Sequence, residues 1–386
     1  MTGDNMILLK YGVRNYFCFK EGAEVSFKLS SKCPEEISRG QPYSNVLCVK
    51  GANGSGKTNL LKALSFIGEF CTDSFKSKPD AEIDCQPFFS DENPIDFYVE
   101  FESLNVVYYY ELTVTKKKVV SEVLYRKKKR YSKVIERKED KITTCALEYK
   151  ELKELKKIRS NASIISIAHQ HEISGLEFLY GFLYKIMSNV SFLGLTDNKP
   201  NISSLSEYYK KHDKMFQFIK KVICKVDLGV DDIEIFTHEN EDGTKKYYPI
   251  FTHKANDKNE FLTLHTESSG TKSLYYQLHK YKWVLDTGGV LVLDEFDINL
   301  HPDILPLLLN FFLDKEINNK NAQLIFTTHN SDILDMLGKY RSVIVNKENN
   351  ESFTYRLDEI SGDLLRNDRP ISPLYKSGKL GGTPNL

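Results

Sequence analysis

Gly51-Ala52-Asn53-Gly54-Ser55-Gly56-Lys57-Thr58 is the stretch from which the rest of the chain is read. It fits G-x-x-x-x-G-K-[ST]. The β-prone run Asn45 to Val49 precedes it, and Asn59 to Phe70 follows with leucines, Ala63, Phe66 and Ile67 at helical spacing. Strand, glycine-rich loop and helix in that order let several backbone N–H groups face one anion, backed by the positive end of the helix dipole. Lys57 then supplies a point charge for the β- and γ-phosphates of ATP, and Thr58 offers its hydroxyl to Mg²⁺. Gly51, Asn53, Gly54, Ser55, Gly56 and Asn59 complete the expected nucleotide-binding set.

Three downstream segments extend this reading. Val290 to Leu293 is a buried-strand pattern that delivers Asp294-Glu295 at its C-terminal end. That placement sets Asp294 beside Mg²⁺, as a Walker-B carboxylate, and Glu295 where it orients and deprotonates the attacking water. Strand Gln323 to Phe326 runs into Thr327-Thr328-His329-Asn330, where a histidine can hydrogen-bond the γ-phosphate and sense its loss. Glu267-Ser268-Ser269-Gly270-Thr271 opens a helix, so a hydroxyl and free N–H groups stand ready to grip a phosphate.

The chain of 386 residues is electrically balanced, with 53 Lys or Arg against 53 Asp or Glu, and 41% of its residues are hydrophobic. Wholesale disorder and a uniformly basic coat for nucleic acid are both excluded by that balance. The strongest apolar runs, Val290 to Leu293 and Ile304 to Leu313, fall short of the roughly 20 residues needed to span a bilayer, so no membrane segment is expected. The N-terminus lacks the basic and apolar regions of a secretion signal, and a cytoplasmic location is expected. Seven scattered cysteines without a Cys-x-x-Cys pair suit reduced, buried filler.

The expected fold class is α/β: an ATPase head with a parallel or mixed P-loop sheet, an antiparallel β subdomain and a helical insertion. Residues 1–94 form the N-terminal lobe, 95–144 the β subdomain, 145–228 the helical insertion and 229–386 the C-terminal lobe. Leu147 to Ile158, Leu176 to Met187 and Tyr208 to Val226 read as helices within the insertion. Between Lys116 and Lys141 there are 12 Lys or Arg against 4 Asp or Glu, which predicts an exposed surface. Arg126 to Arg130 reads there as a solvated hairpin tip, with contact to a nucleic-acid backbone as the alternative.

GANGSGKTNLLKAL, TESSGTKSL, VLVLDEFDINLHPD and LIFTTHN together resemble the ABC and SMC-like ATPases. The resemblance implies that Ser269 and Gly270 are the signature that contacts the γ-phosphate held by the opposite subunit of a head-to-tail homodimer, or of a higher even-numbered assembly. It also implies a D-loop at Asp297 to Pro302, and a Q-loop glutamine that joins Mg²⁺ to the helical lobe. Gln170 is the candidate for that metal contact and Gln86 its rival. The opening LKYGVRNYFCFKEGAEVSF and the tail LLRNDRPISPLYKSGKLGGTP resemble, more narrowly, bacterial ATPases of anti-phage defence loci. That group includes the ATPases of PARIS systems, those that pair with RloB-type proteins and, more distantly, the OLD-family nucleases. Where the group has Asn-Phe-Arg in its first loop, this chain has Asn15-Tyr16-Phe17, which leaves Arg14 as the candidate substitute. After His329 nothing resembles the glutamate plus Asp-x-Asp cluster of a Toprim nuclease. The resemblance therefore implies an effector partner, Toprim or another nuclease, encoded nearby. The rival expectation is a DNA-binding repair or recombination ATPase that meets DNA through the Lys116 to Lys141 surface.

Overall fold

The computed structural model describes residues 6–383 except Lys156, Asp197, Asn198, Asp257 and Asp363. Strand Val46–Lys50 is buried along its whole length, as a continuous apolar run must be when it lies between two parallel neighbours. Those neighbours are Gln323–Thr327 and Ser342–Glu348. Val290–Leu293 lies beyond Gln323–Thr327, and Ile186–Ser188 beyond that, again parallel. Glu351–Arg356 closes the other edge antiparallel, which makes a six-stranded mixed sheet.

A second sheet is antiparallel and seven-stranded. Strands Ile95–Ser103, Val106–Val114 and Val119–Lys127 form the expected meander, and Tyr131–Lys138 and Lys141–Cys145 extend it. On its other side Met6–Arg14 pairs with Ile95–Ser103, Met6 opposite Ser103 and Arg14 opposite Asp96, with Ala23–Ser26 at the edge. The N-terminal strands therefore belong to the same sheet as the meander.

Helix Lys57–Asp73 lies between the two sheets, because side chains alternate across each strand and apolar residues line the facing sides. Leu47 and Val49 from the core sheet, Tyr11, Phe97 and Val99 from the antiparallel sheet, and Leu60, Leu64 and Ile67 from the helix share one buried cluster. Val46, Cys48, Leu291 and Leu293 point the other way, into a second cluster with helices Asp213–Val226, Ser269–Thr287 and Leu305–Leu313. A three-stranded sheet, Asp232–Glu239, Lys245–Ala255 and Lys258–Thr263, flanks this second cluster. No helix among the described residues is long and apolar enough to cross a membrane.

The structure departs from the expected helices at three places. The stretch Tyr208 to Val226 is broken at His212 (φ −121°, ψ 71°), which ends helix Ile202–Lys211 and precedes helix Asp213–Val226. Leu147–Glu154 forms 3₁₀ turns, since only Tyr149 and Leu152 are buried and too little packing supports an α-helix. The segment read as one helix to Met187 stops at Tyr184, and Ile186–Ser188 joins the core sheet beside Val290–Leu293. A short apolar run suits either state, and the open sheet edge decides it.

The basic stretch departs in one residue. Lys118 pairs with Glu139 at 2.5 Å, Arg126 with Glu148 at 2.6 Å and Lys133 with Glu136 at 2.5 Å. Arg137 is not on the surface at all. It is fully buried, 2.6 Å from Glu122, and its remaining N–H groups reach the carbonyls of Glu139, Arg159 and Ala162. Lys127, Lys128, Lys129 and Arg130 are exposed at the hairpin tip.

Candidate nucleotide site

The loop after Val46–Lys50 is held by its own glycines. Gly56 takes φ 110° as it caps helix Lys57–Asp73, and an added Cβ would meet Cys18 Sγ at 2.6 Å. No side chain caps this helix, so its first-turn N–H groups remain available to an anion. Lys57 Nζ folds back over the loop and donates to the carbonyls of Gly51 and Ala52 at 2.9 and 3.0 Å. Burial pushes the Lys57 pKa down, and the carboxylates of Asp294 and Glu295 oppose that shift. Ser55 is 3% exposed, and its Oγ lacks a hydrogen-bond partner among the described residues. A phosphate oxygen would satisfy it.

The acidic side is built from three strand ends. Asp294, 4% exposed, accepts from Thr58 Oγ1 at 2.7 Å and from Thr327 Oγ1 at 2.5 Å. Thr327 Oγ1 in turn accepts from the Glu295 N–H at 2.8 Å. Glu295 adopts φ 50°, a left-handed conformation costly for a residue with a side chain and typical of functional turns. Asn189 follows strand Ile186–Ser188 and grips the backbone of Asp294 on both sides, donating to its carbonyl at 2.9 Å and accepting from its N–H at 2.7 Å. A threonine hydroxyl and a carboxylate this close form a pair of hard oxygen ligands that fits Mg²⁺, with nucleotide oxygens and water left to complete the shell.

His329 stands at the end of Gln323–Thr327 with its side chain exposed, while its N–H donates to Asp297 Oδ2 at 3.1 Å. Asn330 N–H donates to the same carboxylate at 3.2 Å. Lys50 Nζ donates to the Thr328 carbonyl at 2.9 Å, beneath the same turn. The structure thus brings together Lys57, Thr58, Asp294 and Glu295, with His329 on the adjoining turn.

Other expected residues lie elsewhere. Ser268 caps helix Ser269–Thr287 by accepting from Thr271 N–H at 3.1 Å, and Ser269 is exposed. A Cβ at Gly270 would lie 3.1 Å from the Asn299 carbonyl, so this turn packs on the loop that follows Asp294-Glu295. Glu267, just before it, meets His253 Nε2 at 2.8 Å. No hydrogen bond joins Ser269 or Gly270 to the P-loop among the described residues. Gln170 is a correction. It is exposed at the end of helix Ile164–Gln170, whose Ser166 donates to the Thr72 carbonyl at 3.1 Å, near the far end of the P-loop helix. Thr72 is about 21 Å along that helix from Thr58, out of reach of a shared ion. Gln86 lies beside the first loop, its carbonyl accepting from Phe17 N–H at 2.9 Å and its side chain from Lys116 at 2.8 Å. Arg14 is exposed at the end of its strand.

Sequence reasoning missed several contributors. Thr327 opens the Thr-Thr-His-Asn turn and Lys50 falls between the β-prone run and the glycine-rich loop; their strand-end positions are the available signal. Asn189 carries no motif. The C-terminal segment was quoted without a role, yet it packs against the P-loop. Tyr375 Oη donates to the Gly382 carbonyl at 2.8 Å, and a Cβ at Gly382 (φ +67°) would meet Ile344 at 2.7 Å and Gly51 Cα at 3.3 Å. Gly378, Gly381, Gly382 and Thr383 with Ala52 to Ser55 and Asn346 to Glu348 line a cleft of about 370 Å³.

No curated protein matches this chain. Among solved structures it is similar to the SMC head domain from Thermotoga maritima, at 15% identity and a TM-score of 0.46, over 91% of this chain and 98% of that one. It is likewise similar to an Smc head domain with an extended coiled coil, bound to the C-terminal domain of ScpA and derived from Pyrococcus furiosus. There the identity is 14% and the TM-score 0.47, over 92% of this chain and 97% of that one. The model of the family described as "AAA domain, putative AbiEii toxin, Type IV TA system" matches residues 46–335, from the P-loop strand past Asp294 and His329, and the chain belongs to that family.

Proposed function

We propose that this chain binds ATP with Mg²⁺ and hydrolyses it in a site completed by a second copy, and that the cycle governs a partner effector, a nuclease, in anti-phage defence. The observation that carries the ATPase reading is the linked set Thr58–Asp294–Thr327–Glu295 facing the P-loop, where two hydroxyls, the Asp294 carboxylate and the Glu295 backbone N–H fix one another. Lys57 and the loop amides bind phosphate, and Ser55 Oγ adds a donor. Thr58 and Asp294 hold Mg²⁺, which when bound offsets the charge on the β- and γ-oxygens. Glu295 takes the proton of the attacking water, and His329 reads the γ-phosphate from the next strand end. Ser269, exposed, and Gly270, half-buried beside it, serve a partner copy in this reading, which their lack of hydrogen bonds to their own P-loop among the described residues supports. The defence role rests on the family match and on the resemblance of the two chain ends.

Two experiments test this. Mixing Lys57→Ala chains with Ser269→Arg chains should restore turnover that neither has alone, because one composite site would be intact; failure under conditions of subunit exchange removes the second copy from the site. Native mass spectrometry of the chain expressed with its neighbouring genes should show a second polypeptide on an even-numbered assembly, and an assembly without one refutes the effector role. The exposed tip Lys127 to Arg130 supports a second reading, direct DNA binding. Salt-dependent affinity for duplex that is lost when those four charges are reversed would establish it.

A further inference from the structure

Lys62 lies on the P-loop helix one turn beyond Thr58 and carries no role in the site described above. It is 9% exposed, and among the described residues it makes no hydrogen bond or ion pair. Its one directed contact is a cation–π approach, with Nζ 4.4 Å from the centre of the Phe17 ring. Burial pushes its pKa down, while Asp294 and the Cys18 thiol, both near enough to act on it, push the other way. An ammonium group withdrawn from water without a counter-charge is unfavourable unless an anion arrives to face it. Asp294 is already committed to the hydroxyls of Thr58 and Thr327.

The surroundings say where that anion comes from. Long helical side chains lean toward the N-terminus of their helix, so Lys62 leans toward Thr58 and Asn59 in the first turn. Asn59 Nδ2 lies 3.3 Å from Cys18 Sγ, which ties the same turn to the first loop. Phe17 is fixed in turn by its N–H bond to the Gln86 carbonyl and by edge contact with Tyr16 at 4.7 Å. On its other side Lys62 borders a cavity of about 450 Å³ that is lined by Tyr16, Ser65 and Phe192 and by the carboxylates Glu69, Asp73, Glu82 and Asp84, none of which forms an ion pair with it.

We infer that Lys62 is a second phosphate-binding cation, held in place by the face of Phe17 and acting beside Lys57 on the polyphosphate chain of the nucleotide. This rests on the nucleotide-site reading above. It accounts for an aromatic residue at position 17: the ring holds a lysine delivered by the helix, and exposed Arg14 is not required.

The test is equilibrium binding of ATP and of inorganic tripolyphosphate, both with Mg²⁺, to the full chain and to Lys62→Met, Lys62→Arg and Lys57→Ala. Methionine keeps the buried stem and removes the charge. Lys62→Met should weaken both ligands about tenfold or more, and Lys62→Arg should recover most of that loss. Lys62→Gln provides a second neutral variant should Lys62→Met fold poorly. ATP affinity within twofold of the parent in the neutral variant, with Lys57→Ala abolishing binding, overturns the Lys62 assignment alone. Undiminished ATP binding in Lys57→Ala overturns the nucleotide-site reading and the Lys62 assignment with it. A loss in Lys62→Met that arginine does not recover overturns the charge argument and leaves packing as the role of this side chain.

Discussion

Thr327→Val is the substitution that most sharply separates positioning from phosphate binding. Valine keeps the shape of a side chain that is 1% exposed, so no cavity opens. What disappears is the hydroxyl that donates to Asp294 at 2.5 Å and accepts from Glu295 N–H at 2.8 Å. A hydrogen bond to a carboxylate contributes about 1.5–3 kcal/mol, and an orphaned buried N–H costs about 1–3 kcal/mol. Taken together the loss is about 3 kcal/mol. Over 386 residues, at about 2 cal/mol/K of unfolding entropy per residue, that lowers Tm by about 4 °C. On the proposed function the effect on turnover is larger, because the hydroxyl ties the Asp294 carboxylate to the Glu295 backbone, and small misplacements of a reacting group cost large rate factors. Turnover should fall at least tenfold while ATP affinity, set by the P-loop, changes less than threefold. A thermal melt with steady-state phosphate release and a binding isotherm reads all three quantities. Turnover within twofold of the parent would refute the idea that Thr327 positions the catalytic pair.

Glu122→Ala should destabilise the chain by about 3–5 kcal/mol, because Arg137 would be left charged and buried, and a urea titration will read it. Adding Arg137→Met to that variant should recover part of the loss. Burial holds the His279 pKa near 4 against its ordinary 6.5, with Lys280 adding to the effect. A histidine kept neutral in the fold contributes stability above the unfolded value, and that contribution is lost as pH falls from about 6.5 toward 4, by up to about 3 kcal/mol. Replacement by leucine should flatten that part of the urea-midpoint curve. Gly382→Ala should cost about 1–2 kcal/mol from its left-handed backbone and its contact with Ile344, visible as a lower Tm.

The strand–loop–helix at 45–70 and the order of the later acids were legible because each rests on local rules: glycine at a left-handed cap, an apolar run between parallel neighbours, an acid at a strand end. The edge strand Ile186–Ser188 was not, since three residues carry no period and their state is set by the free edge of Val290–Leu293. Asn189 inherits that difficulty. Gln170 misled because a glutamine between histidines before a helix looks like a loop ligand, while its distance from Thr58 depends on where Ile164–Gln170 docks along the P-loop helix. Arg137 shows the same limit for charge: it lies in a basic stretch whose lysines are on the surface, and only the fold supplies Glu122 and three carbonyls to bury it. The role of the glycine-rich tail became visible only once Gly382 lay against Gly51.

The most direct measurement is single-turnover ATP hydrolysis with native mass determination on the parent chain and on Glu295→Gln. The account predicts that Glu295→Gln retains bound ATP, loses turnover by at least a hundredfold and accumulates as an ATP-bound assembly of even copy number. Unchanged turnover in Glu295→Gln, or a chain that binds no ATP, would contradict it.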